Sequence, residues 1–299
     1  MSDWLRSLEG SPQGHDLALA LALLAAVLHA LFGALQKGRH DPWLSRAAID
    51  ASYAIIAAPF ALFVVPWPEP HMWPIFAGAF AIHAVYKLFQ AMTYARGAYT
   101  VVYPVVRGTG PLVTVGFATL VFAEHFTLGQ WAGVALLSAG ILGLAGWNLA
   151  HVRDQRDTMV PALFFAALTG LCVAAYTTYD AYGIRATADP FTFLAWFFLI
   201  DGLLMPALSW RRLWALSRDE ITPLVRRGVL GAFVAYFSFG AVMLATRLDK
   251  VGEAAVLRET STVFAALIGW LVLGEKVGRA QIALMTVIAA GAVMVEILG

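Results

Sequence analysis

The sequence is poor in charged residues and almost free of cysteine. Charged residues make up 13% of its 299 residues, hydrophobic residues make up 60%, and the mean hydropathy is +0.73. This composition excludes an ordinary soluble domain. The single cysteine, Cys172, cannot form an internal disulfide. A formal net charge of +1 gives no reason to expect a nucleic-acid partner.

Motifs for nucleotide hydrolysis and for metal catalysis are also missing. The sequence contains no P-loop of the form G-x-x-x-x-G-K-[ST] and no H-E-x-x-H zinc-binding motif. It has no Cys/His cluster with metal-ligand spacing and no long loop that could carry a catalytic constellation. We therefore expect no enzymatic activity, no catalytic residue, no metal and no cofactor.

Long apolar runs make up most of the chain instead. About 20 apolar residues suffice for a helix to cross the roughly 30 Å hydrocarbon core of a bilayer. Trp43, Trp67 and Trp73 fall at the ends of such runs, as in an interfacial aromatic belt. We predict an all-α integral membrane protein with ten transmembrane helices, near residues 17–35, 47–65, 74–94, 99–122, 128–148, 160–182, 191–208, 228–246, 252–273 and 280–298.

The chain also repeats itself at an offset of 151 residues. The repeat superimposes, without a gap, Arg96 on Arg247, Arg107 on Arg258, Thr109 on Thr260, Glu124 on Glu275 and Gly140 on Gly291. Early in each copy the offset is 148, so Asp41 falls on Asp189. Because each copy has an odd number of spans, the second enters the membrane upside down. We predict a first five-helix repeat at 1–150, a second, inverted one at 151–299, and a central cavity between them.

Three cations, Lys87, Arg107 and Arg258, lie inside predicted spans. A cation at the centre of a membrane helix costs about 2.5–3.5 kcal/mol, so these side chains should face the protein interior rather than lipid. Polar and aromatic residues accompany them at helical spacing in two consecutive spans, which favours a shared aqueous cavity over a dry polar core. We predict substrate-binding roles for His83, Tyr86, Lys87, Gln90, Tyr99, Tyr103, Arg107, Tyr176, Tyr179 and Trp196.

The repeat leaves two interpretations of the arginines open. A cation in the cavity could bind a substrate carboxylate while aromatic rings pack its side chain. Alternatively, because Arg107 and Arg258 are equivalent, both could support the scaffold by pairing with Glu259 or Glu253. Lys87 faces Ser238 in the other copy, and this asymmetry favours a role in substrate binding. Candidates for coupling or gating are His29, Asp180, Asp201 and Arg258.

Three local patterns predict backbone features. Glu124 and Glu275 occupy matching turns before spans five and ten, where a carboxylate stabilises a helix N-terminus. The stretch Gly108-Thr109-Gly110-Pro111 predicts a locally opened backbone beside Arg107. The glycine spacing of span five predicts close helix packing, either within one protomer or in a dimer.

The two glutamate turns, L-V-F-A-E-H and L-V-L-G-E-K, together with ten spans in a five-plus-five repeat, resemble the drug/metabolite transporter superfamily and its EamA-type ten-helix carriers. The layout and the aromatic-rich cavity are similar to those of the YddG-type bacterial amino-acid exporters. This resemblance covers almost the whole chain. It implies a basket-like helical carrier that exports amino acids or similar metabolites by alternating access, without ATP.

We therefore predict a secondary active or facilitative transporter that exports amino acids, aromatic or neutral, and related metabolites. The three cations inside the spans leave open an exchanger of anionic or phosphorylated metabolites, and a channel is the alternative outside the carriers. Span one has no carboxylate, only His29, which counts against a small multidrug cation antiporter. The expected partners are a small-molecule substrate and the lipid bilayer, not nucleic acid, and we expect a monomer or a homodimer.

The expected location is the bacterial inner (plasma) membrane, as a multi-pass protein, but two arguments about orientation disagree. Loops on the side of the termini carry four Lys or Arg residues, and the opposite loops carry thirteen. The positive-inside rule then places both termini outside. The family resemblance implies cytoplasmic termini.

The charge count predicts a definite labelling pattern. In a Cys172→Ser background, a cysteine at Ser217 should react with a membrane-impermeant maleimide only after the cells are permeabilised. A cysteine at Ser7 should react in intact cells. The opposite pattern would show that the termini are cytoplasmic and that the excess of basic residues lies outside.

Overall fold

The protein is described by a computed structural model that covers residues 2–36, 41–97, 99–151, 156–271 and 278–299, with the backbone alone at 33–36, 99–100, 156–157 and 269–270. All regular structure in these ranges is α-helix, which confirms the all-α membrane fold. The first copy contains α1 (Ser2–Leu8), α2 (Pro12–Gln36), α3 (Pro42–Phe63), α4 (Met72–Arg96), α5 (Tyr99–Phe122) and α6 (Leu128–His151). The second contains α7 (Arg156–Ala186), α8 (Pro190–Asp201), α9 (Leu204–Trp214), α10 (Arg218–Leu248), α11 (Val251–Glu259), α12 (Ser261–Leu271) and α13 (Arg279–Ile297).

Within the described ranges, nine segments are long and apolar enough to cross a bilayer, with α8 and α9 counted as one segment. The predicted span at 252–273 is instead divided into α11 and α12, which meet at Thr260. The Thr260 amide donates to the Leu257 carbonyl, three residues earlier, at 3.1 Å. This tighter turn separates the two half-helices and places Glu259 at the junction.

The predicted opening at 108–111 is wrong, because α5 continues through both Pro104 and Pro111. Thr109 donates its hydroxyl to the Val105 carbonyl at 3.1 Å, within this continuous helix. The interruption occurs at Thr260, which is the repeat equivalent of Thr109. The two copies therefore differ in backbone at the position that the repeat relates.

The first long helix of each copy packs mainly against the other copy. Helix α2 contacts α10, α11 and α12, while its equivalent, α7, contacts α4 and α5. Helices α6 and α13, the last of each copy, pack against each other. The interior between the copies is thus formed by both halves of the chain, and a side chain placed there is held by helices from each.

Equivalent aspartates begin equivalent helices. Asp41 precedes α3 and accepts hydrogen bonds from the amides of Trp43 and Leu44, and Asp189 accepts from the Phe191 amide at 2.9 Å. Both are followed by proline, whose missing amide and fixed φ suit the first helical position. Partial burial raises the pKa of Asp41, but the Arg212 hydrogen bond and the two amides outweigh burial and hold that pKa below its usual value.

Glu124 caps a helix, although not the one that follows it in the sequence. Its carboxylate accepts from the amides of Val251 at 2.7 Å and Gly252 at 3.1 Å, at the N-terminus of α11. The charge is favoured there by the helix dipole and is also 3.7 Å from Arg185. Glu124 therefore joins the two copies at the end of the molecule near the termini. Its repeat equivalent, Glu275, lies outside the described residues.

Polar stretches outside the predicted spans are also helical. Helix α1 precedes the first span, and most of 209–227 belongs to α9 and α10. Ser217 and Glu220 form a capping box that starts α10 in this polar stretch.

The glycine-rich face of α6 packs inside the protomer. A Cβ atom added at Gly133 would lie 2.8 Å from the Gly291 carbonyl oxygen of α13, and one added at Gly291 would lie 2.6 Å from the Gly133 carbonyl oxygen. Both contacts are with backbone, so neither could be relieved by rotating a side chain. Small residues let the two helices approach closely, as is common where membrane helices meet.

We expect Gly133→Ala to destabilise the protein and Gly146→Ala to be neutral or mildly stabilising. Both positions lie in α6, but a Cβ at Gly146 meets nothing within 4 Å. Overpacking of this kind costs about 1–3 kcal/mol. The melting temperature of the two variants in detergent, compared with that of the wild type, measures the difference. Equal melting temperatures would contradict the close α6–α13 contact.

Candidate functional site

Eight polar side chains meet in the interior between α3, α4, α7 and α8. We call this group the acidic–basic cluster. It consists of Arg46, Asp50 and Tyr53 from α3, His83, Lys87 and Gln90 from α4, Asp180 from α7 and Asp201 from α8. All eight are buried, with at most 8% of their surface exposed. Because an unpaired charge in such a setting is very costly, the pairing within the cluster determines whether the helices can pack at all.

Lys87 is the central cation of this cluster. Its Nζ lies 2.7 Å from a carboxylate oxygen of Asp50 and 2.9 Å from one of Asp201, and it also donates to the Asp201 carbonyl at 2.5 Å. Arg46 pairs with the other oxygen of Asp50 at 2.8 Å and donates to Gln90 at 3.2 Å. The ammonium group is thus fully engaged by protein groups, which leaves it no free donor for a substrate.

His83 bridges two carboxylates that belong to different helices. Its Nε2 lies 2.8 Å from a carboxylate oxygen of Asp180, and its Nδ1 lies 3.7 Å from one of Asp201. The ring also packs against Tyr176, with 4.6 Å between the ring centroids, and against Phe197 at 5.0 Å. His83 therefore links α4 to α7 and α8 within a largely aromatic surrounding.

The second copy has no equivalent of this cluster. The repeat places Leu194, Phe198, Val234 and Ser238 opposite Arg46, Asp50, His83 and Lys87, and Phe32 opposite Asp180. Leu194, Phe198 and Phe32 lie in the main apolar core. The charged residues of one copy are therefore apolar at most of the equivalent positions, and Phe32 and Phe198 line the same cavity as Arg46 and His83. The asymmetry that the sequence shows at His83 and Lys87 extends to the whole cluster.

A second group, which we call the arginine cluster, surrounds the break between α11 and α12. It contains Arg107 from α5, Thr177 from α7, and Arg258 and Glu259 from α11. Nη1 of Arg107 and Nη2 of Arg258 lie 3.0 and 3.3 Å from the same oxygen of Glu259, Oε1. Arg258 also donates to the Thr177 hydroxyl at 3.2 Å. Both arginines therefore do pair with Glu259, one of the two scaffold partners that the sequence left open.

Several groups of the arginine cluster remain unused. Among the described atoms, Nη2 of Arg107, Nε of Arg258 and Oε2 of Glu259 are buried and have no hydrogen-bond partner. The three residues are at most 3% exposed. Two cations share one carboxylate, so this cluster has an unbalanced positive charge together with spare donors and one spare acceptor.

Aromatic residues and two small cavities connect the clusters. One cavity is lined by Arg46, His83 and Asp201 together with Phe197 and Phe239. The other is lined by Tyr176, Thr177, Asp180, Phe239 and Arg258. Each has room for about one water molecule. Within these two cavities, a molecule larger than water would require the surrounding helices to separate.

The structure gathers most of the predicted site residues and leaves some apart. His83, Lys87 and Gln90 belong to the acidic–basic cluster. Tyr86, Tyr103, Arg107 and Tyr176 lie in or beside the arginine cluster: Arg107 is over the Tyr103 ring at 5.5 Å, and the Tyr86 and Tyr176 ring centroids are 4.9 Å apart. Of the coupling candidates, Asp180 and Asp201 join the first cluster and Arg258 joins the second.

Other predicted residues are not gathered with the clusters. Trp196, in the middle of α8, packs against Trp67 and Trp73 with ring centroids 4.9 and 5.3 Å away, and it lines neither cavity. Tyr179 is half-buried, with its ring beside Tyr182 and its hydroxyl against Gly78 of α4. The side chain of Tyr99 lies outside the described residues. His29 is buried against the rings of Phe32 and Phe239 rather than beside a carboxylate.

Arg46 and Asp50 were missed when the sequence alone was considered. Arg46 was counted among the loop residues, but it lies inside α3, so it does not contribute to the charge of that side of the membrane. The signal was available: Arg46 and Asp50 are four residues apart, the spacing at which opposite charges pair on a helix. An aspartate at position 50, within a predicted span, also needed a partner.

Two arginines, buried Arg247 and half-buried Arg185, bridge helices at the end near the termini. Arg247 is 2.7 Å from Glu9 and donates to the Ile184 and Thr187 carbonyls. Arg185 donates to the Thr246 and Asp249 carbonyls, both at 2.7 Å. These bonds tie α7 to α10 and to the segment before α2, so this end is sealed by side chains.

Two interlocked helical copies of a membrane fold, with charged and aromatic side chains converging between them, define a multi-pass membrane transporter. A family model described as "EamA-like transporter family" matches the chain twice, at residues 16–146 and 160–297. The chain therefore belongs to the EamA-like transporter family, whose members are membrane transporters of small molecules.

Comparison with solved structures agrees with this fold. A protein crystal structure matches with a TM-score of 0.73 over 96% of this chain and 99% of its own, at 19% sequence identity. At that identity the similarity shows the fold alone. No curated protein sequence matches the chain.

We expect Lys87→Met to destabilise the protein by about 3–5 kcal/mol, because it leaves the buried carboxylates of Asp50 and Asp201 without their cation. Adding Asp201→Asn to Lys87→Met should restore part of that stability. Melting temperatures in detergent test both statements.

The matched control is Arg6→Met, which removes an exposed 2.6 Å ion pair with Asp3 and should change the stability by less than about 1 kcal/mol. If the effects of Lys87→Met and Asp201→Asn are simply additive, Lys87 is not coupled to Asp201 as the structure indicates.

Proposed function

We propose that this transporter exports neutral and aromatic amino acids by alternating access, as the YddG-type exporters that it resembles are expected to do, and that the arginine cluster binds the amino-acid head group. The observation that carries the proposal is the set of unused groups at Arg107, Arg258 and Glu259. An α-amino acid has one carboxylate and one ammonium group close together. The cluster offers donors for the first and an acceptor for the second.

The geometry suits a zwitterion better than a simple anion. Nη2 of Arg107 and Nε of Arg258 supply charge-assisted donors to a carboxylate, and Oε2 of Glu259 accepts from an ammonium group. Tyr86, Tyr103 and Tyr176 lie beside these groups and offer rings against which an aromatic or aliphatic side chain packs.

The alternative of a phosphorylated-metabolite exchanger loses most of its support. It rested on three cations acting together, but Lys87 is paired with Asp50 and Asp201. A phosphorylated metabolite without an ammonium group would also leave Oε2 of Glu259 without a donor.

The described part of the interior favours a carrier over a channel. Side chains seal the end near the termini, and the cavities have room for about one water molecule each. Passage of an amino acid therefore requires the copies to change their relative position, as in a carrier.

Transport by purified protein in liposomes tests the substrate class. We expect uptake of radiolabelled L-phenylalanine and L-leucine and competition by other neutral amino acids. The methyl ester, which lacks the carboxylate, and the N-acetyl derivative, which lacks the ammonium group, should compete poorly. Competition by glycerol 3-phosphate but not by amino acids would overturn the proposal in favour of an anion exchanger.

Variants test the head-group assignment. Arg258→Gln and Glu259→Gln should each lower substrate affinity about tenfold or more, because each removes a charge-assisted contact. Arg226→Gln, at an exposed arginine of α10, should transport like the wild type. If both cluster variants keep wild-type affinity, the head group binds elsewhere.

A further inference from the structure

The protonation state of His83 affects its interactions with two carboxylates, those of Asp180 and Asp201. A neutral ring that donates from Nε2 to Asp180 leaves the Nδ1 lone pair facing a carboxylate oxygen of Asp201 at 3.7 Å. A second proton, on Nδ1, turns that repulsion into an attraction. The ring is 2% exposed, so water does little to weaken either interaction.

Asp180 has no permanent cation as an ion-pair partner among the described residues. Arg46 pairs with Asp50, and Lys87 pairs with Asp50 and Asp201, whereas Asp180 pairs with His83. Oδ1 of Asp180 has no hydrogen-bond partner among the described atoms. A proton on His83 turns its contact with Asp180 into a charge-assisted hydrogen bond.

Asp180 connects this proton to the arginine cluster. Asp180 and Arg258 line the same small cavity, and Thr177, which accepts from Arg258, lies one helical turn before Asp180 on α7. When His83 is protonated, Asp180 is held by His83 and Arg258 keeps its excess positive charge for a ligand. When His83 is neutral, the negative charge of Asp180 opposes the arrival of a carboxylate at Arg258.

We propose that the His83–Asp180 pair is a proton-binding site, and that its occupancy is linked positively to binding of the substrate carboxylate at Arg258. The linkage rests on the proposed function of the arginine cluster, whereas the proton site rests on the geometry of His83 alone. Linkage is reciprocal: a proton on the pair strengthens substrate binding, and bound substrate strengthens proton binding by the same factor.

Other ionisable groups around the pair do not provide this response. The cations facing it are Lys87 on its own helix, Arg46 on α3, Arg107 on α5 and Arg258 on α11. The carboxylates are Asp50 on α3, Asp180 on α7, Asp201 on α8 and Glu259 on α11, and the phenols are Tyr53, Tyr86 and Tyr176. Arginine keeps its charge at any usable pH. Among these described groups, histidine is the residue type that ordinarily changes charge near neutral pH.

Nuclear magnetic resonance of protein labelled with ¹⁵N-histidine, in detergent and without substrate, tests the proton site directly. We expect one histidine signal, missing in His83→Gln, to shift with pH, and to shift over a different pH range in Asp180→Asn. His29→Gln is the matched control, because His29 is also buried but contacts phenylalanine rings. A His83 signal that does not change between pH 5 and 9, the range about neutrality in which histidine normally titrates, would overturn the proton site.

Proton uptake on substrate addition tests the linkage. In weakly buffered solution with a pH-sensitive dye, L-phenylalanine should cause proton uptake by the wild type and His29→Gln, but not by His83→Gln. Substrate affinity of the wild type should fall about tenfold as pH rises through the His83 transition. In His83→Gln the affinity should be independent of pH.

The outcomes separate the two proposals. If L-phenylalanine binds without proton uptake, or with proton release, the linkage is wrong and the proposed function stands. If no amino acid binds while the His83 signal titrates, the proposed function fails and the proton site remains. If His83→Gln fails to fold, the signal is identified instead by its altered pH range in Asp180→Asn.

Discussion

The cost of an unpaired charge in a membrane interior governs the arrangement of this protein. Its inward-facing charged side chains have partners on other helices, so pairing and helix packing depend on each other. Lys87 is the clearest case, since its ammonium group holds carboxylates from α3 and α8 to helix α4. The same principle makes the arginine cluster conspicuous. There, two guanidinium groups share one oxygen of Glu259, so this group of residues has two cations and one carboxylate.

The two copies share the same helical scaffold, but their inward-facing side chains differ in charge and polarity. Equivalent aspartates begin α3 and α8, and the first helix of each copy packs into the other, so the two halves still obey the same geometry. The side chains between them have diverged, however, because the repeat aligns Asp180 with the apolar Phe32 and Lys87 with Ser238. The break at Thr260 adds a difference in backbone, because α5 is continuous at the equivalent Thr109. A symmetric fold thereby encloses an asymmetric interior, which is what recognition of a small asymmetric molecule requires.

How far the sequence predicts the site depends on the kind of residue. Lys87, Arg107 and Arg258 were identifiable because a cation within an apolar run has few physical explanations. His83 and Gln90 followed from helical spacing. Arg46 was not identified, because hydropathy cannot place the end of a span within several residues, and a residue near the end reads as a loop. Trp196 was chosen for its ring, but an aromatic residue fits equally well in a core, and the structure packs it against Trp67 and Trp73.

The sequence by itself determined the all-α membrane fold, its two copies, and most of the charges that had to face inward. These follow from local composition and from the repeat, which need no knowledge of contacts. Tertiary structure alone decided which charges meet. Contacts between helices far apart in the chain decide that Glu124 caps α11 rather than α6 and that Lys87 pairs with two aspartates. They also leave Oε2 of Glu259 without a hydrogen-bond partner among the described atoms. Partner choice is set by the packing of whole helices, because a buried charge binds the nearest opposite charge in space, whatever its position in the sequence.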